Sequence, residues 1–390
     1  MAEEAVIKNT GLRGVTVADT KISYIDGEKG VLIYRGYRIE DIVVNSTFEE
    51  TAYLLIKGEL PTASELNEFK NKIARTASPP EYLIHSMKLW PKDATPMRVL
   101  SAALSIAAYN DRIDDVSLDA YEDKAAALIS AMAAAMVAWE RIRNNREPVP
   151  YSEEMTHAEN ILHMISGEKP DPEVARVLDI CLILHADHTF NASTFACREV
   201  ASTQADIYAG VLAGLAALSG SLHGGANEKA MNMMDELKNE SDIESWIKNK
   251  LSNKEKIYGM GHAVYKTYDP RATILKKLLE NLSAKTGQSE LYDLCAFVED
   301  IAVKVLSEKG KDKIKPNIDF YSGTVYKMMG FSHDLFTPLF AVSRIAGWCA
   351  HIIEERFGLA QEKPSLYRPA AEYVGNYCGM MGCEYKPKST

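Results

Sequence analysis

Strand-forming patterns are confined to the first forty residues of this 390-residue chain, and helical patterns fill the remainder. The run KISYIDGEKGVLIYRGY, residues 21–37, holds two β-rich segments around a glycine-bearing turn and predicts a small hairpin. No alternation of strands and helices follows, which disfavours a doubly wound parallel sheet. The sequence therefore predicts an all-α fold with a short N-terminal β-hairpin.

Helix starts are marked by residues that cap the first turn. A Thr or Asp side chain accepts a free backbone N–H there, a Glu three residues later completes a capping box, and proline fits the first helical position. Apolar residues at helical spacing also predict a helix over residues 294–305. Three starts are predicted in this way: Thr62 with Glu65, Asp171 with Pro172, and Ser241 with Glu244.

Charge and hydropathy argue against two classes of partner. The formal net charge is −10, and lysine-dense sequence is limited to one short stretch, so we expect no nucleic-acid partner. The apolar run Ala125–Trp139 has fifteen residues, whereas a membrane-spanning helix needs roughly twenty. Its alanines suit a buried helix in close contact with others, so we expect no membrane insertion.

The expected compartment is the cytoplasm. The first ten residues, MAEEAVIKNT, carry acids where a signal peptide carries bases. The six cysteines are too sparse for a disulfide scaffold and fit a reducing compartment. Cys378 and Cys383 lie close together, but no further pair of cysteines or histidines nearby would complete a zinc site.

Two segments are candidate hinges between domains. Residues 220–225 and 309–323 are rich in Gly, Ser, Lys and Pro. A smaller domain inserted between them would leave both chain ends in the larger one. We therefore predict a large helical domain of residues 1–221 and 325–390 and a smaller helical domain of residues 222–324.

Acid and base groups recur in loop-like segments, and each has a structural alternative. His223 precedes two glycines and a helix-forming run, so it is either a loop histidine at a helix start or a neutral imidazole that donates to an oxyanion. His262 lies in the glycine-rich run GMGHAVYKTYDPR, residues 259–271, where it either finishes a turn or meets a substrate. Asp319 is either a helix N-cap or part of a site.

The pair His185 and His188 leaves a metal site open as an alternative. The spacing H-x-x-H can hold a metal from one helix face, and a metal-dependent hydrolase would follow from it. There is no H-E-x-x-H motif, and a pair at a helix end, with His188 favoured there by its charge, explains the spacing too. We expect no metal site. A non-catalytic helical scaffold is the third alternative.

Five motifs follow one another along the chain: DHTFNAST, LHGGAN, GHAVYKTYDPRA, PNIDFYSG and SRIAGWCAH. In this order they resemble the citrate synthase family along nearly the whole chain. The match is similar to the compact form found in archaea and many bacteria. The family resemblance implies an all-α homodimer with its active site between a large and a small domain.

The resemblance also implies a condensation of acetyl-CoA with oxaloacetate and water to give citrate and CoA, with acetyl-CoA as co-substrate and no permanently bound cofactor. Asp319 matches the base that takes a methyl proton, His223 the donor to the thioester oxygen, and His262 the donor to the ketone. The resemblance places Arg368 in the partner subunit's site. Oxaloacetate ligands are matched by His188, Arg271, Arg344 and Arg368. Backbone contacts to CoA are matched by Glu255, Lys256, Ile257, Tyr258 and Gly259.

Two points separate this chain from a simple transfer of the family pattern. The family often has Arg-Pro-Arg near the C-terminus, whereas this chain reads Arg368-Pro369-Ala370. Lys309, Lys311, Lys313 and Lys315 form either a solvated loop or contacts to CoA phosphates. The close alternative in function is 2-methylcitrate synthase, which uses propionyl-CoA, or a dual specificity.

Overall fold

The computed structural model describes residues 11–12, 14–111, 115–376 and 379–384. Residues 1–10 and Cys378, on which part of the expected compartment depends, lie outside the described residues. Within the described ranges the chain forms sixteen α-helices, two single-turn 3₁₀ helices and one small sheet. The all-α prediction is confirmed.

The sheet is antiparallel and extends the predicted hairpin by one short strand. Strands β1 (Ser23–Asp26) and β2 (Val31–Tyr34) pair with Ser23 opposite Tyr34 and Asp26 opposite Val31. Strand β3 (Tyr37–Arg38) then pairs with β2. Two residues are too few for an alternating pattern, so no sequence pattern predicts β3.

The helices run through the chain with short connections. Their bounds are α1 (Ile39–Asn45), α2 (Phe48–Lys57), α3 (Ala63–Arg75), α4 (Glu81–Leu89), α5 (Pro96–Ala107), α6 (Leu118–Arg143), α7 (His157–Ser166), α8 (Pro172–His185), α9 (Ala192–Ser202), α10 (Ile207–Leu218), α11 (Ala226–Leu237), α12 (Ile243–Ser252), α13 (Pro270–Thr286), α14 (Ser289–Glu308), α15 (Ile318–Met328) and α16 (Phe336–Phe357).

Two of the three predicted helix starts are confirmed. Thr62 and Glu65 form the reciprocal capping box at α3, and Asp171 caps α8 with Pro172 in the first turn. The predicted box of Ser241 with Glu244 is wrong. Asp242, one residue later, caps α12 by accepting the Ser245 N–H at 2.9 Å. An aspartate is as good a cap as a serine, so the neighbouring Asp242 displaces the start by one residue.

The core is built around α16, which is buried along almost its whole length. It packs against α2, α6, α8, α9 and α10. Helices α6 and α16 are long and apolar enough to cross a membrane, but 83% and 100% of their most apolar stretches are buried inside the protein. The prediction that Ala125–Trp139 forms a buried helix is confirmed.

A second group of helices packs beside this core. Helices α11 and α13 pack on α15, and α14 contacts α12 and α13. All five lie between residues 226 and 328, close to the range assigned to the smaller domain, whose limits remain a prediction. Contacts of α13 with α8 and of α11 with α16 join the two groups.

Candidate active site

Two loops of the second helical group are bonded to each other at the centre of the site. The Gly261 N–H donates to the Lys315 carbonyl at 2.8 Å, and the Asn317 N–H donates to the Gly259 carbonyl at 2.9 Å. Gly259 has φ +78°, and a Cβ on it would lie 2.6 Å from the Cα of Phe320. Only glycine permits this close approach. The pairing carries His262, next to Gly261, towards the start of α15.

Asp319 is the second residue of α15 and does not cap it. Asn317 is the N-cap, and its side chain accepts the Asp319 N–H at 2.9 Å. The interpretation of Asp319 as a helix cap is therefore wrong. Among the described residues nothing donates a hydrogen bond to its carboxylate. Burial raises the pKa of Asp319 to about 6, although Arg271 and Arg344 act in the opposite direction.

His262 presents a neutral ring with a defined tautomer. Its Nδ1 accepts the N–H groups of Val264 at 3.0 Å and Tyr265 at 3.3 Å. A neutral imidazole carries one proton, so the proton of His262 is on Nε2. Burial, helped by Arg271, lowers the pKa of His262 to about 4. The ring can therefore donate a hydrogen bond from Nε2 at neutral pH. A histidine that only finishes a turn would not need such a donor, so the geometry favours contact with a substrate.

His223 has the opposite tautomer in the turn between α10 and α11. Its Nε2 accepts the Ser193 backbone N–H at 3.2 Å and lies 2.8 Å from the Ser193 hydroxyl. The proton of the neutral ring is therefore on Nδ1. Burial, followed by the charge of Arg344, lowers the pKa of His223 to about 4. Both histidines are thus held as neutral donors by backbone amides.

Two buried arginines, Arg271 and Arg344, lie near His188 and His262. The Arg344 Nε donates to the His185 carbonyl at 2.6 Å, and its guanidinium lies over the Phe340 ring at 4.7 Å. Burial lowers the pKa of Arg344 to about 10, so the group stays charged at neutral pH. The His188 Nε2 lies 3.3 Å from the Tyr265 hydroxyl. Burial and Arg271 hold the pKa of His188 well below its usual value, which contradicts a charged histidine at a helix end.

Arg271 is paired with a residue that sequence reasoning missed. Asp269 caps α13 and accepts from Arg271 at two points, Nε at 2.9 Å and Nη2 at 2.7 Å. The Asp269 carboxylate also accepts the Ile318 N–H at 3.3 Å, at the start of α15. One carboxylate therefore fixes both Arg271 and the helix that carries Asp319. An Asp-Pro pair signals a helix start, but the partner Ile318 is 49 positions away and has no sequence signal.

The rings of His185 and His188 do not share a metal-binding face. Helix α8 ends at His185, so His188 lies beyond the helix and the i, i+3 geometry is lost. The His185 Nδ1 donates to the Cys181 carbonyl at 2.8 Å, and its ring packs on Phe340. Across the described ranges no group of three or more His, Cys, Asp or Glu side chains could hold a metal ion.

Most of the remaining predicted site residues are exposed, whereas Gly259 and Lys315 belong to the loop pairing described above. Arg368 is exposed on the segment after α16, and within the described part of the chain it makes no hydrogen bond or ion pair. Glu255, Lys256 and Tyr258 line a pocket of about 430 Å³ together with Lys229, Trp246 and Lys254, and Ile257 and Gly259 do not. Lys309 and Lys311 are exposed, Lys313 lies 3.5 Å from Glu28, and Lys315 lies over the Tyr268 ring.

Comparison with known proteins gives the family. The family described as "Citrate synthase, C-terminal domain" matches residues 11–370. The citrate synthase of Synechocystis sp. is 42% identical over 382 residues, which cover 97% of this chain and 93% of that protein. The citrate/2-methylcitrate synthase of Bacillus subtilis is 37% identical, with 96% and 98% covered.

A solved structure agrees with the sequence relatives. It is the ternary complex of carboxymethyl coenzyme A and oxaloacetate with citrate synthase from Thermoplasma acidophilum. Its TM-score is 0.87 at 36% identity, over 96% of this chain and 97% of that chain. With the family match over nearly the whole chain, this likeness confirms the predicted resemblance. The chain belongs to the citrate synthase family and is an all-α enzyme of condensing acyl transfer.

Proposed function

We propose that this site catalyses the condensation of acetyl-CoA with oxaloacetate and water to give citrate and CoA. One observation carries the proposal: a carboxylate with a raised pKa, Asp319, occurs together with two neutral histidine donors, His223 and His262. A carbon–carbon condensation needs one group to remove a proton from the methyl carbon and others to stabilise two oxygens. The set supplies one base and two donors.

Asp319 is the proposed base. The α-carbon of a thioester is a very weak acid, so a carboxylate with the ordinary pKa of an exposed aspartate would be a poor base for it. Burial makes Asp319 more basic, and its carboxylate is not occupied by a protein donor among the described residues. The methyl proton moves to Asp319 while the His223 Nδ1 proton moves to the thioester oxygen, and the thioester becomes an enol.

The two histidines are the proposed electrophilic donors. A neutral imidazole N–H stabilises a developing oxyanion without needing a proton from solvent. His223 Nδ1–H would act on the thioester oxygen and His262 Nε2–H on the ketone oxygen of oxaloacetate. The enol carbon then forms a bond to the ketone carbon, the enol proton returns to His223, and the His262 Nε2 proton passes to the ketone oxygen, which becomes the hydroxyl of the product. The methyl proton held by Asp319 balances the proton that His262 has given up. Water finally cleaves the thioester and releases the CoA thiol.

Oxaloacetate is the proposed ligand of Arg271, Arg344 and His188. It carries two carboxylates, and arginine binds a carboxylate through two parallel N–H groups. Arg344 uses its Nε on a backbone carbonyl, which leaves its terminal nitrogens for an anion. Arg271 is held in place by Asp269 before any substrate arrives. Such preorganisation reduces the entropy lost on binding.

A homodimer in the cytoplasm is the proposed working form. The segment after α16 is exposed and apolar at Leu366, Tyr373 and Val374, which are 60%, 72% and 80% exposed. An exposed apolar segment of this kind is typical of a contact with another chain. Arg368 lies on it, so a partner subunit's site is its proposed place of action. The buried thiols Cys181 and Cys197 are free, which suits a reducing compartment, whereas Cys383 is disulfide-bonded.

A kinetic assay tests the proposal. Release of CoA thiol should require both oxaloacetate and acetyl-CoA and should survive exhaustive dialysis against EDTA. Thiol release without oxaloacetate, or activity lost to chelation and restored by zinc, would favour the hydrolase. Propionyl-CoA in place of acetyl-CoA measures specificity. One methylene is worth about 1–3 kcal/mol in an apolar pocket, so we expect a preference for acetyl-CoA with measurable turnover of propionyl-CoA.

A further inference from the structure

Asp187 is fully buried next to His188 and has no role in the chemistry above. Its Oδ2 accepts the Thr189 N–H at 3.0 Å. An aspartate bonded to the N–H two residues on closes a turn around the residue between them, which here is His188. Thr189 has φ +46°, an uncommon conformation for a β-branched residue. The backbone of His188 is therefore shaped by the side chain that precedes it.

The Asp187 side chain and backbone are held from the sheet. The Ser23 hydroxyl in β1 donates to the same Oδ2. The Tyr34 hydroxyl in β2 donates to the Asp187 carbonyl at 2.8 Å. The same hydroxyl oxygen accepts the Asp187 N–H at 3.1 Å. Asp187 thus joins the turn at His188 to two strands.

The other carboxylate oxygen faces a histidine of α16. The His351 Nε2 lies 3.3 Å from the Asp187 Oδ1, an electrostatic contact whose geometry is not that of a hydrogen bond. Arg198 Nη1 lies 3.0 Å from the His351 Nδ1, and arginine only donates, so Nδ1 is the acceptor and the ring proton is on Nε2, towards Asp187. Arg198 is fixed in turn by Glu354 at 2.8 Å.

Helix α16 also contacts the two residues that precede Asp187, His185 and Ala186. The Gly347 N–H donates to the Ala186 carbonyl at 3.1 Å, and a Cβ on Gly347 would overlap the Ala186 oxygen. Arg344, three residues before Gly347 in α16, donates its Nε–H to the carbonyl of His185. One face of α16 therefore carries both a proposed oxaloacetate ligand and the partner of Asp187.

We propose that Asp187 is a positioning residue that sets His188 for oxaloacetate, with Ser23 and His351 holding its carboxylate. The inference rests on the proposed function, because it takes His188 as an oxaloacetate ligand. A buried carboxylate is costly unless its partners are in place, so this one is expected to fix a single conformation of the turn.

The first test is Asp187→Asn, which keeps the size of the side chain. The amide nitrogen cannot accept, so either the Thr189 N–H and the Ser23 hydroxyl lose the oxygen that they share, or the amide N–H groups face the His351 N–H. We expect the KM and Kd for oxaloacetate to rise about tenfold or more, with the KM for acetyl-CoA unchanged. Asp179→Asn is the matched control. Asp179 is also buried in α8, and an asparagine there keeps an oxygen that can accept the Phe48 N–H, so this variant should leave the oxaloacetate KM unchanged.

A double-mutant cycle separates positioning from general support of the fold. In a His188→Ala background, Asp187→Asn should cost little further oxaloacetate affinity, because the ring that it orients is gone. An equal loss in both backgrounds, or an unchanged oxaloacetate KM in Asp187→Asn, would overturn the inference. If Asp187→Asn does not fold, Ser23→Ala removes one donor to the carboxylate and should raise the oxaloacetate KM more modestly; an unchanged KM there would also overturn it. A wild-type chain that binds no oxaloacetate would contradict the proposed function instead.

Discussion

At the residue scale, the site depends on titratable groups moved away from their ordinary pKa values by burial. The pKa of Asp319 is raised to about 6, and the pKa values of His223 and His262 are lowered to about 4. Burial disfavours the charged form of each group, so the carboxyl becomes a stronger base and the imidazoles stay neutral. One cause therefore prepares both the base and the donors.

Replacing Asp319 by Asn should separate activity from stability. We expect kcat to fall at least about a hundredfold, the lower end for the loss of a general base. Because the folded-state pKa lies above the ordinary value of 3.8, the free energy of unfolding falls as the pH rises from 3.8 to about 6, and the full loss is present above that pH. Asp319→Asn should thus be more stable than the wild type at pH 8 by roughly 1–3 kcal/mol. Near-normal turnover in this variant would contradict the role of Asp319 as a base. The stability prediction is checked by Tm at pH 8 and at pH 4.5, since the difference in Tm between the variant and the wild type should be smaller at pH 4.5.

The pH dependence of the rate should show one acidic limb. Asp319 must be ionised to act, so kcat/KM for oxaloacetate should fall as the pH drops through about 6. The two histidines are already neutral above pH 5 and should add no limb near 7. A rate that rises on acidification from pH 8 to pH 6 would indicate that a charged imidazole is required.

At the scale of elements, the site is assembled where loops and helix starts from distant parts of the chain meet. The loop at Gly259 pairs with the loop at Asn317, and Asp269 joins the starts of α13 and α15. The sequence predicted the all-α class, two of three helix caps and the loop positions of the acid and base groups. It could not show Asp269 with Ile318 or Ser193 with His223, because these partners lie 49 and 30 positions apart and depend on tertiary packing.

Gly259→Ala tests the pairing of the two loops. The new Cβ would meet the Phe320 backbone in a φ that disfavours side chains, so the loops should separate, with a large loss of kcat and lower stability. Gly287→Ala is the control, since Gly287 has φ +67° but open space around it. It should cost about 1–2 kcal/mol and keep kcat. Equal kcat values in the two variants would argue against the pairing as a determinant of activity.

At the scale of the whole molecule, two helical groups enclose the site and a third contribution is expected from a partner. His188 and Arg344 come from the group around α16, whereas His262, Arg271 and Asp319 come from α11 to α15 and their loops. Movement of one group against the other would close the cleft over substrate and exclude water, a common use of binding energy.

Mixed dimers test the proposed place of Arg368. If Arg368 serves the partner's site, a dimer of one Arg368→Ala chain and one Asp319→Ala chain has one site with both residues intact. The other site carries both lesions. Random co-refolding should then restore roughly a quarter of wild-type activity by symmetry, from two nearly inactive variants. No recovery, with mixed dimers shown to have formed, would place Arg368 in its own chain's site or outside any site.

The most direct measurement follows the carbon atom whose bond is proposed to form. The enzyme is supplied with acetyl-CoA labelled with ¹³C at the methyl carbon, together with oxaloacetate, and the products are read by NMR. We expect the label in a methylene carbon of citrate, in amounts equal to the CoA released, and almost none with Asp319→Asn. Label recovered as free acetate would indicate thioester hydrolysis, and label that stays in acetyl-CoA would exclude condensation in this cleft.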